Sequence, residues 1–326
     1  MFSFILSLVG YAIVCAFIVY VIIVPIASKY LPEIIDIFFF LNITTKLYAF
    51  VHKPYQSGVK SLTRNFYINH QNSSFGIWHS LPHSLSVEID NSICLDNKFF
   101  EKKLADGMEL VVIYCHGASS YRGNRKSIEV MNLMSNMDIH AFVIDYRGYA
   151  DSTGHVTETN LYDDLLSLYN YVKKFAPQRI YLWGHSLGAG IVTKCCSVLC
   201  KNNTPPRGVI LESPFTNAKD AFIHHPLMTV LKIIPTLLKF SAKAYSMKGH
   251  SFRNDENITY ITCPITLIHA EDDMIIPCFM SQKLFEIAEE KNLFARLFIF
   301  NKKCGYGHSR IIFSKNIKKI LESILI

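Results

Sequence analysis

The sequence predicts an α/β fold built on a mostly parallel sheet with helices on both faces, and three observations carry that prediction. Short apolar runs without polar alternation recur along the chain, as in strands buried on both faces. Longer segments with helical spacing of apolar residues lie between them, so strand and helix alternate. Third, Tyr181-Leu182-Trp183-Gly184-His185-Ser186-Leu187-Gly188-Ala189-Gly190 sets a serine between glycines where an apolar run meets a small-residue helix start. That G-x-S-x-G pattern is a nucleophile elbow, a strand-to-helix turn so sharp that the serine hydroxyl stands free. The competing reading is a serine that only caps the helix.

The elements follow in chain order. Residues 1–28 carry no charged side chain, and 4–27 would extend roughly 36 Å as a helix against a hydrocarbon core of about 30 Å. A cleaved signal peptide would have a shorter apolar region, a basic start and small residues at its end, so 1–30 is expected to be an uncleaved transmembrane signal anchor. Residues 31–60 mix apolar patches with Pro32, Pro54 and Gly58 and read as an interfacial linker. The catalytic domain is expected over 61–326. Within it, 64–68 and 75–80 suit an opening antiparallel pair, and buried strands follow at 110–115, 141–144, 180–183, 209–211, 265–269 and 297–300. Helices are predicted at 127–135 and at 161–175, the latter ended by Pro177, with a C-terminal helix beginning near Ile311.

Between Glu212 and Asn257 the alternation breaks, and about 215–257 is the insertion expected to form a helical lid. Lys232, Lys239 and Lys243 share one helical face there, Leu231, Ile234 and Leu238 supply apolar surface, and Pro235 should kink or divide the helix. Two readings stand: a solvated cap packed on the domain, or a lid resting on an anionic membrane, where each lysine would contribute about 1 kcal/mol.

A serine hydroxyl needs a base within hydrogen-bond reach and a third group to orient that base. In an α/β-hydrolase arrangement the acid comes next in the chain and the histidine last, after successive strands. His269-Ala270-Glu271-Asp272-Asp273-Met274-Ile275-Ile276-Pro277 follows the strand at 265 and supplies the acid. Asp273 is the expected acid, with Asp272 its rival. Cys304-Gly305-Tyr306-Gly307-His308-Ser309 follows the last strand, and its flexible glycines let His308 return over the sheet edge as the base. His224, His225 and His250 have no such placement and read as surface or core. Backbone amides should meet the negative charge that develops on the acyl oxygen, and Leu187 at the helix start and Ala118 after His116-Gly117 are the expected donors. Tyr121, Arg122 and Gly123 continue that loop toward the expected substrate entrance. Asp145 reads as structural, since the acid position is already filled in chain order.

Composition excludes other chemistries. The 326 residues are 50% hydrophobic with a net charge of +7 and no basic-aromatic stripe or RNA-binding motif, which argues against nucleic acid and for an anionic membrane surface. The thirteen histidines show no metal-ligand spacing, so neither metal nor cofactor is expected. Nine cysteines form no C-x-x-C pair; Cys195, Cys196 and Cys200 lie on the helix after Ser186 and read, like Cys115 and Cys15, as free thiols. No obligate protein partner is inferred. Orientation signals conflict: Lys29, Lys46 and Lys53 after the span favour a cytosolic domain, whereas sequons at Asn42, Asn72, Asn202 and Asn257 favour a lumenal one.

Beyond the elbow, Asn65-Phe66-Tyr67, Trp78-His79, Tyr114-Cys115-His116-Gly117, Asp145-Tyr146-Arg147-Gly148, Leu211-Glu212-Ser213-Pro214-Phe215-Thr216-Asn217, Asn254-Asp255-Glu256-Asn257 and His269-Ala270-Glu271-Asp272-Asp273 cover nearly all of 60–326. In these segments the chain resembles the membrane-anchored serine hydrolases of the α/β-hydrolase-domain family that act on lysophosphatidylserine and monoacylglycerol. The resemblance implies a glycoprotein of the endoplasmic reticulum membrane with a lumenal catalytic domain, a lipid substrate, and Ser186, Asp273 and His308 as the triad. Two departures stand out. The family usually carries a longer charged tail before its span, and it commonly has Asn where this chain has Ala118. Because the oxyanion contact is a backbone amide, activity is expected to survive, with head-group preference the property open to change. Within enzymes the alternative is a thioesterase that removes palmitate from proteins; outside them, an inactive hydrolase fold that only binds.

Overall fold

The computed structural model describes residues 10–11, 14–15, 17–18, 40–42, 49–87, 96–226 and 251–325. Most of the expected span at 4–27 lies outside the described residues, as do Lys232, Pro235, Lys239, Lys243 and His250 of the expected lid. Among the described residues no helix is long and apolar enough to cross a membrane.

In chain order the elements are β1 (Thr63–His70), β2 (Ser73–Ser80), α1 (Asn97–Asp106), β3 (Val111–Cys115), α2 (Arg125–Asn136), β4 (His140–Ile144), α3 (Glu158–Lys173), β5 (Ile180–His185), α4 (Leu187–Lys201), β6 (Gly208–Glu212), α5 (Ala218–His224), β7 (Ile265–Ala270), α6 (Phe279–Glu290), β8 (Ala295–Phe300) and α7 (Ile317–Leu325). The eight strands form one sheet in the order β1-β2-β4-β3-β5-β6-β7-β8. β1 and β2 pair antiparallel through a two-residue turn at Gln71 and Asn72, both at positive φ, as such hairpins require. β2 meets β4 antiparallel, and every later pairing is parallel.

Both faces of the sheet are covered, and the residues show why the central strands lack polar alternation. Val111, Ile113 and Cys115 of β3, with Ile180 and Leu182 of β5, enter one core. Val112 and Tyr114, with Tyr181 and Trp183, enter the other. The chain leaves β3 for β4 on one side, then crosses to β5 on the other. A crevice therefore opens between the carboxyl ends of β3 and β5, the usual ligand position in open α/β sheets.

Helix boundaries follow their caps. Asn124 accepts from Lys126 N and Thr157 from Asn160 N, so α2 and α3 begin two and three residues before the positions expected from apolar periodicity. The expected helix from Ile311 is instead a 3-10 turn, Ile311–Phe313, followed by extended Ser314 and then α7. The unpredicted α1 is charge-rich and buries only Phe100 and Leu104, too little periodicity to read. Part of the linker belongs to the domain: Phe40, Val51 and Val59 are buried, and Trp78 donates its indole N–H to Val51 O at 2.8 Å. Asn72 and Asn202 are exposed. Asn257 is only 9% exposed, in a short helical turn.

Candidate active site

Ser186 follows β5 at φ 53° and ψ −116°, a sparsely populated region that costs about 1–3 kcal/mol for a side-chain-bearing residue. The surroundings enforce it. Ser186 N donates to Glu212 O at the end of β6 (2.9 Å), and α4 presses directly on the sheet. A Cβ on Gly188 would lie 2.0 Å from Cys115 O, and one on Gly184 would lie 2.3 Å from Gly188 O. Only hydrogen fits at either glycine. Although Ser186 stands at the start of α4, its side chain makes no capping bond, which overturns the reading of a mere cap. The hydroxyl is directed elsewhere.

His308 Nε2 lies 2.9 Å from Ser186 Oγ, and His308 Nδ1 lies 2.7 Å from Asp273 Oδ2. The loop carrying His308 turns through Gly305 (φ 66°) and Gly307 (φ 52°), backbone angles that disfavour other residues. With Nδ1–H donating to the carboxylate, Nε2 is free to accept the serine proton. The Asp273 side chain is fully buried, and its Oδ1 accepts from Ile275 N and Ile276 N, each at 2.9 Å. Burial pushes this carboxyl up, but hydrogen bonds from His269 and His308 outweigh it and hold the group well below the usual carboxylate range. Asp272 faces the other way and accepts from Gly307 N at 3.0 Å, so the neighbouring aspartates hold the side chain and the backbone of one loop.

Five residues that sequence reasoning did not single out complete the frame. His269 Nε2 lies 3.1 Å from Asp273 Oδ2, and His185 Nε2 lies 2.8 Å from the carbonyl oxygen of His308. Beneath them, Lys126 Nζ meets Glu212 Oε1 at 2.7 Å, while Trp183 donates to Glu212 Oε2 at 3.2 Å. His185 and Trp183 are part of the elbow, Glu212 of the Glu-Ser-Pro-Phe-Thr-Asn segment and His269 of the segment that carries the acid, so these four were visible as letters without a role.

The two expected oxyanion donors flank the crevice. Leu187 opens α4, where the helix dipole is positive, and Ala118 follows β3 in a half-buried position. Arg122 does not line an entrance as expected: it is fully buried, with its guanidinium on Asp145 and on both carboxylate oxygens of Asp151, at 2.7 and 2.9 Å. A cation in this interior needs such partners. Asp145 also accepts from Arg122 N at 2.5 Å, which ties the loop after β3 to the end of β4. On α4, Cys196 Sγ lies 3.8 Å from Cys200 Sγ and 3.6 Å from Cys263 Sγ, so Cys263, not Cys195, completes this buried thiol contact.

Similarity to known proteins agrees with this geometry. A family model described as serine aminopeptidase, S33, matches residues 107–258. The lysophosphatidylserine lipase ABHD12 of Danio rerio is 32% identical over 308 residues, covering 93% of this chain and 80% of that protein. The chain belongs to the ABHD12 family. The Mus musculus lysophosphatidylserine lipase ABHD12 is also 32% identical, with 93% and 76% covered, and Homo sapiens protein ABHD12B is 34% identical over 228 residues, with 69% and 62% covered. Among solved structures, an α/β-hydrolase from Vibrio vulnificus has a TM-score of 0.64 at 15% identity, covering 90% of each chain. The esterase Pf2001 of Pyrococcus furiosus has a TM-score of 0.61 at 16% identity, covering 83% of this chain and 92% of that one. These likenesses establish the α/β-hydrolase fold, and membership of the ABHD12 family makes the chain a serine hydrolase. Two segments that carry the ABHD12 resemblance meet in space: Asn254 donates to Phe215 O at 2.9 Å and Asn217 to Asp255 at 3.1 Å. These bonds join the two ends of the insertion.

Proposed function

We propose that this chain is a membrane-anchored hydrolase of single-chain lipid esters, acting on lysophosphatidylserine, other lysophospholipids and monoacylglycerol. The observation that carries the reading is the hydrogen-bonded series from Ser186 through His308 to Asp273. Ser186 Oγ attacks the acyl carbonyl as its proton passes to His308 Nε2, and the Ala118 and Leu187 amides receive the oxyanion. Collapse breaks the ester bond, and the proton moves from His308 to the departing glycerol oxygen. Water, deprotonated by the same nitrogen, then attacks the acyl-enzyme; the bond to Ser186 Oγ breaks, the proton returns from His308 to that oxygen, and the fatty acid is released. The hydrogen bonds on Asp273 outweigh its burial and keep it ionised beside the imidazolium that forms.

The substrate class is supported by the names of the ABHD12 relatives and by the charge-free stretch 1–28, which would hold the crevice beside the bilayer. On this reading the stretch is an uncleaved anchor in the endoplasmic reticulum membrane, the catalytic domain is lumenal, and the insertion is a lid. Full-length protein in detergent should hydrolyse lysophosphatidylserine faster than a palmitoyl-cysteine peptide and should label with a fluorophosphonate, both lost in Ser186→Ala. Preference for the thioester would reassign the substrate, and absence of labelling would remove the nucleophile. In a lumenal orientation the exposed Asn72 and Asn202 acquire glycans in cells while Asn257 does not; an unglycosylated membrane-bound chain would reverse the orientation.

A further inference from the structure

A second histidine stands on the carboxylate. His269, at the end of β7, is fully buried, and its Nε2 faces Asp273 Oδ2 at 3.1 Å and Ile276 O at 2.9 Å. Both atoms are acceptors, so Nε2 carries the proton. The other ring nitrogen, Nδ1, lies 2.5 Å from Oγ of Ser281, a fully buried residue on α6. In the neutral ring Nδ1 has only a lone pair to offer, so the Ser281 hydroxyl donates to it and thereby selects the tautomer that donates to Asp273.

We propose that His269 and Ser281 are positioning residues that extend the series Ser186–His308–Asp273 into the core and fix the carboxylate for the reaction. This rests on the reading of Ser186 as nucleophile. The geometry explains why a second donor matters. Asp273 Oδ1 is held by the amides of Ile275 and Ile276, both on the same short loop, so they fix the carboxylate only relative to that loop. His269 instead ties Oδ2 to a strand of the sheet, and Ser281 ties His269 to a packed helix. The oxygen that receives His308 Nδ1–H is thereby held by regular structure rather than by a turn. Its remaining lone pair is aimed at the base. Neither residue is placed to touch substrate, so their loss should lower turnover and leave binding alone.

The test uses full-length protein and steady-state hydrolysis of a soluble p-nitrophenyl ester by His269→Phe, His269→Gln and Ser281→Ala. Phe fills the space without a donor and should lower kcat about 30-fold with KM within about twofold, a loss of the size that misplacing a catalytic group produces. Gln keeps an N–H at similar reach and should recover most of that loss. Ser281→Ala frees the tautomer and should lower kcat about fivefold at unchanged KM, a reading that stands even if the Phe variant does not fold. Equal kcat for the Phe and Gln variants, wild-type kcat in Ser281→Ala, or losses carried by KM would overturn the proposal. Failure of a fluorophosphonate to label wild-type Ser186 would instead overturn the hydrolase reading, and this inference with it.

Discussion

The side chain of His185, inside the nucleophile elbow, donates from Nε2 to the carbonyl oxygen of His308 at 2.8 Å. Burial, with Lys126 as the next cause, pushes the His185 imidazole well below its ordinary range, so it is a neutral ring with its proton on Nε2. The residue preceding the serine therefore clamps the loop that brings the base. Replacing it with Leu should slow fluorophosphonate labelling of Ser186 about 10-fold through misplacement of His308. An unchanged labelling rate would mean that the turn at Gly305 and Gly307 suffices to hold the base.

Asp272 and Asp273 separate cleanly by role. Asp273→Asn should cost about 10⁴ in kcat, because the amide cannot hold His308 in the tautomer that accepts from Ser186. Asp272→Asn removes only a charged acceptor from Gly307 N, and its amide oxygen can still accept there, so kcat/KM should fall less than about 10-fold. The ratio of the two losses is the measurement. Similar losses would show that the loop backbone, rather than the carboxylate on His308, governs the rate.

Much of this arrangement was readable because it follows from order along the chain. Buried parallel strands appear as apolar runs, the elbow has its own letters, and acid and base follow in sequence after later strands. Ser186, Asp273 and His308 meet at the positions so chosen. What stayed hidden depends on direction and depth. Arg122 follows a loop that looks like an entrance, yet its side chain turns inward because Asp145 and Asp151 lie beneath it. His269 reads as one more residue of a strand, and its partner Ser281 is twelve residues on; no local pattern joins them. Cys263 likewise meets Cys196 across 67 positions, beyond any spacing rule.

A pair of buried histidines makes the fold acid-sensitive away from the site. Arg64 Nε donates to His79 Nδ1 at 3.2 Å, which places the His79 proton on Nε2, 3.1 Å from His140 Nδ1. Burial pushes both imidazoles down, His79 well below its ordinary range and His140 to about 3, with His140 and Arg179 respectively the next causes. Below about pH 6.5 the unfolded chain takes up protons that the folded chain refuses, so stability present above that pH is lost as pH falls toward the folded values. Each histidine contributes a slope of about 1.4 kcal/mol per pH unit in that window. Melting temperature should be level above about pH 7 and fall steeply between about pH 6 and 4. His140→Phe, despite its own packing cost, should melt with a shallower slope, and a slope unchanged by that substitution would place the protons elsewhere.

Lys126 and Glu212 form a buried pair beneath the crevice, 2.7 Å apart, with the glutamate side chain fully buried and the lysine 9% exposed. Burial lowers the lysine from its ordinary range and Glu212 partly restores it. Among the described residues, Lys126→Met would leave the carboxylate with only the Trp183 N–H, and breaking a buried pair from one side costs about 3–5 kcal/mol. Lys126→Met combined with Glu212→Gln removes both charges while the amide oxygen still accepts from Trp183, so most of that loss should return. Chemical denaturation of the single and double variants closes the cycle, and equal destabilisation of both would deny the coupling. Activity gives an independent reading. The contact that holds the elbow comes from the backbone oxygen of Glu212 to Ser186 N, not from its carboxylate. The double variant should therefore label at Ser186 close to the wild-type rate, whereas the single variant, with an unpaired carboxylate under the elbow, should label more slowly at temperatures where it is still folded.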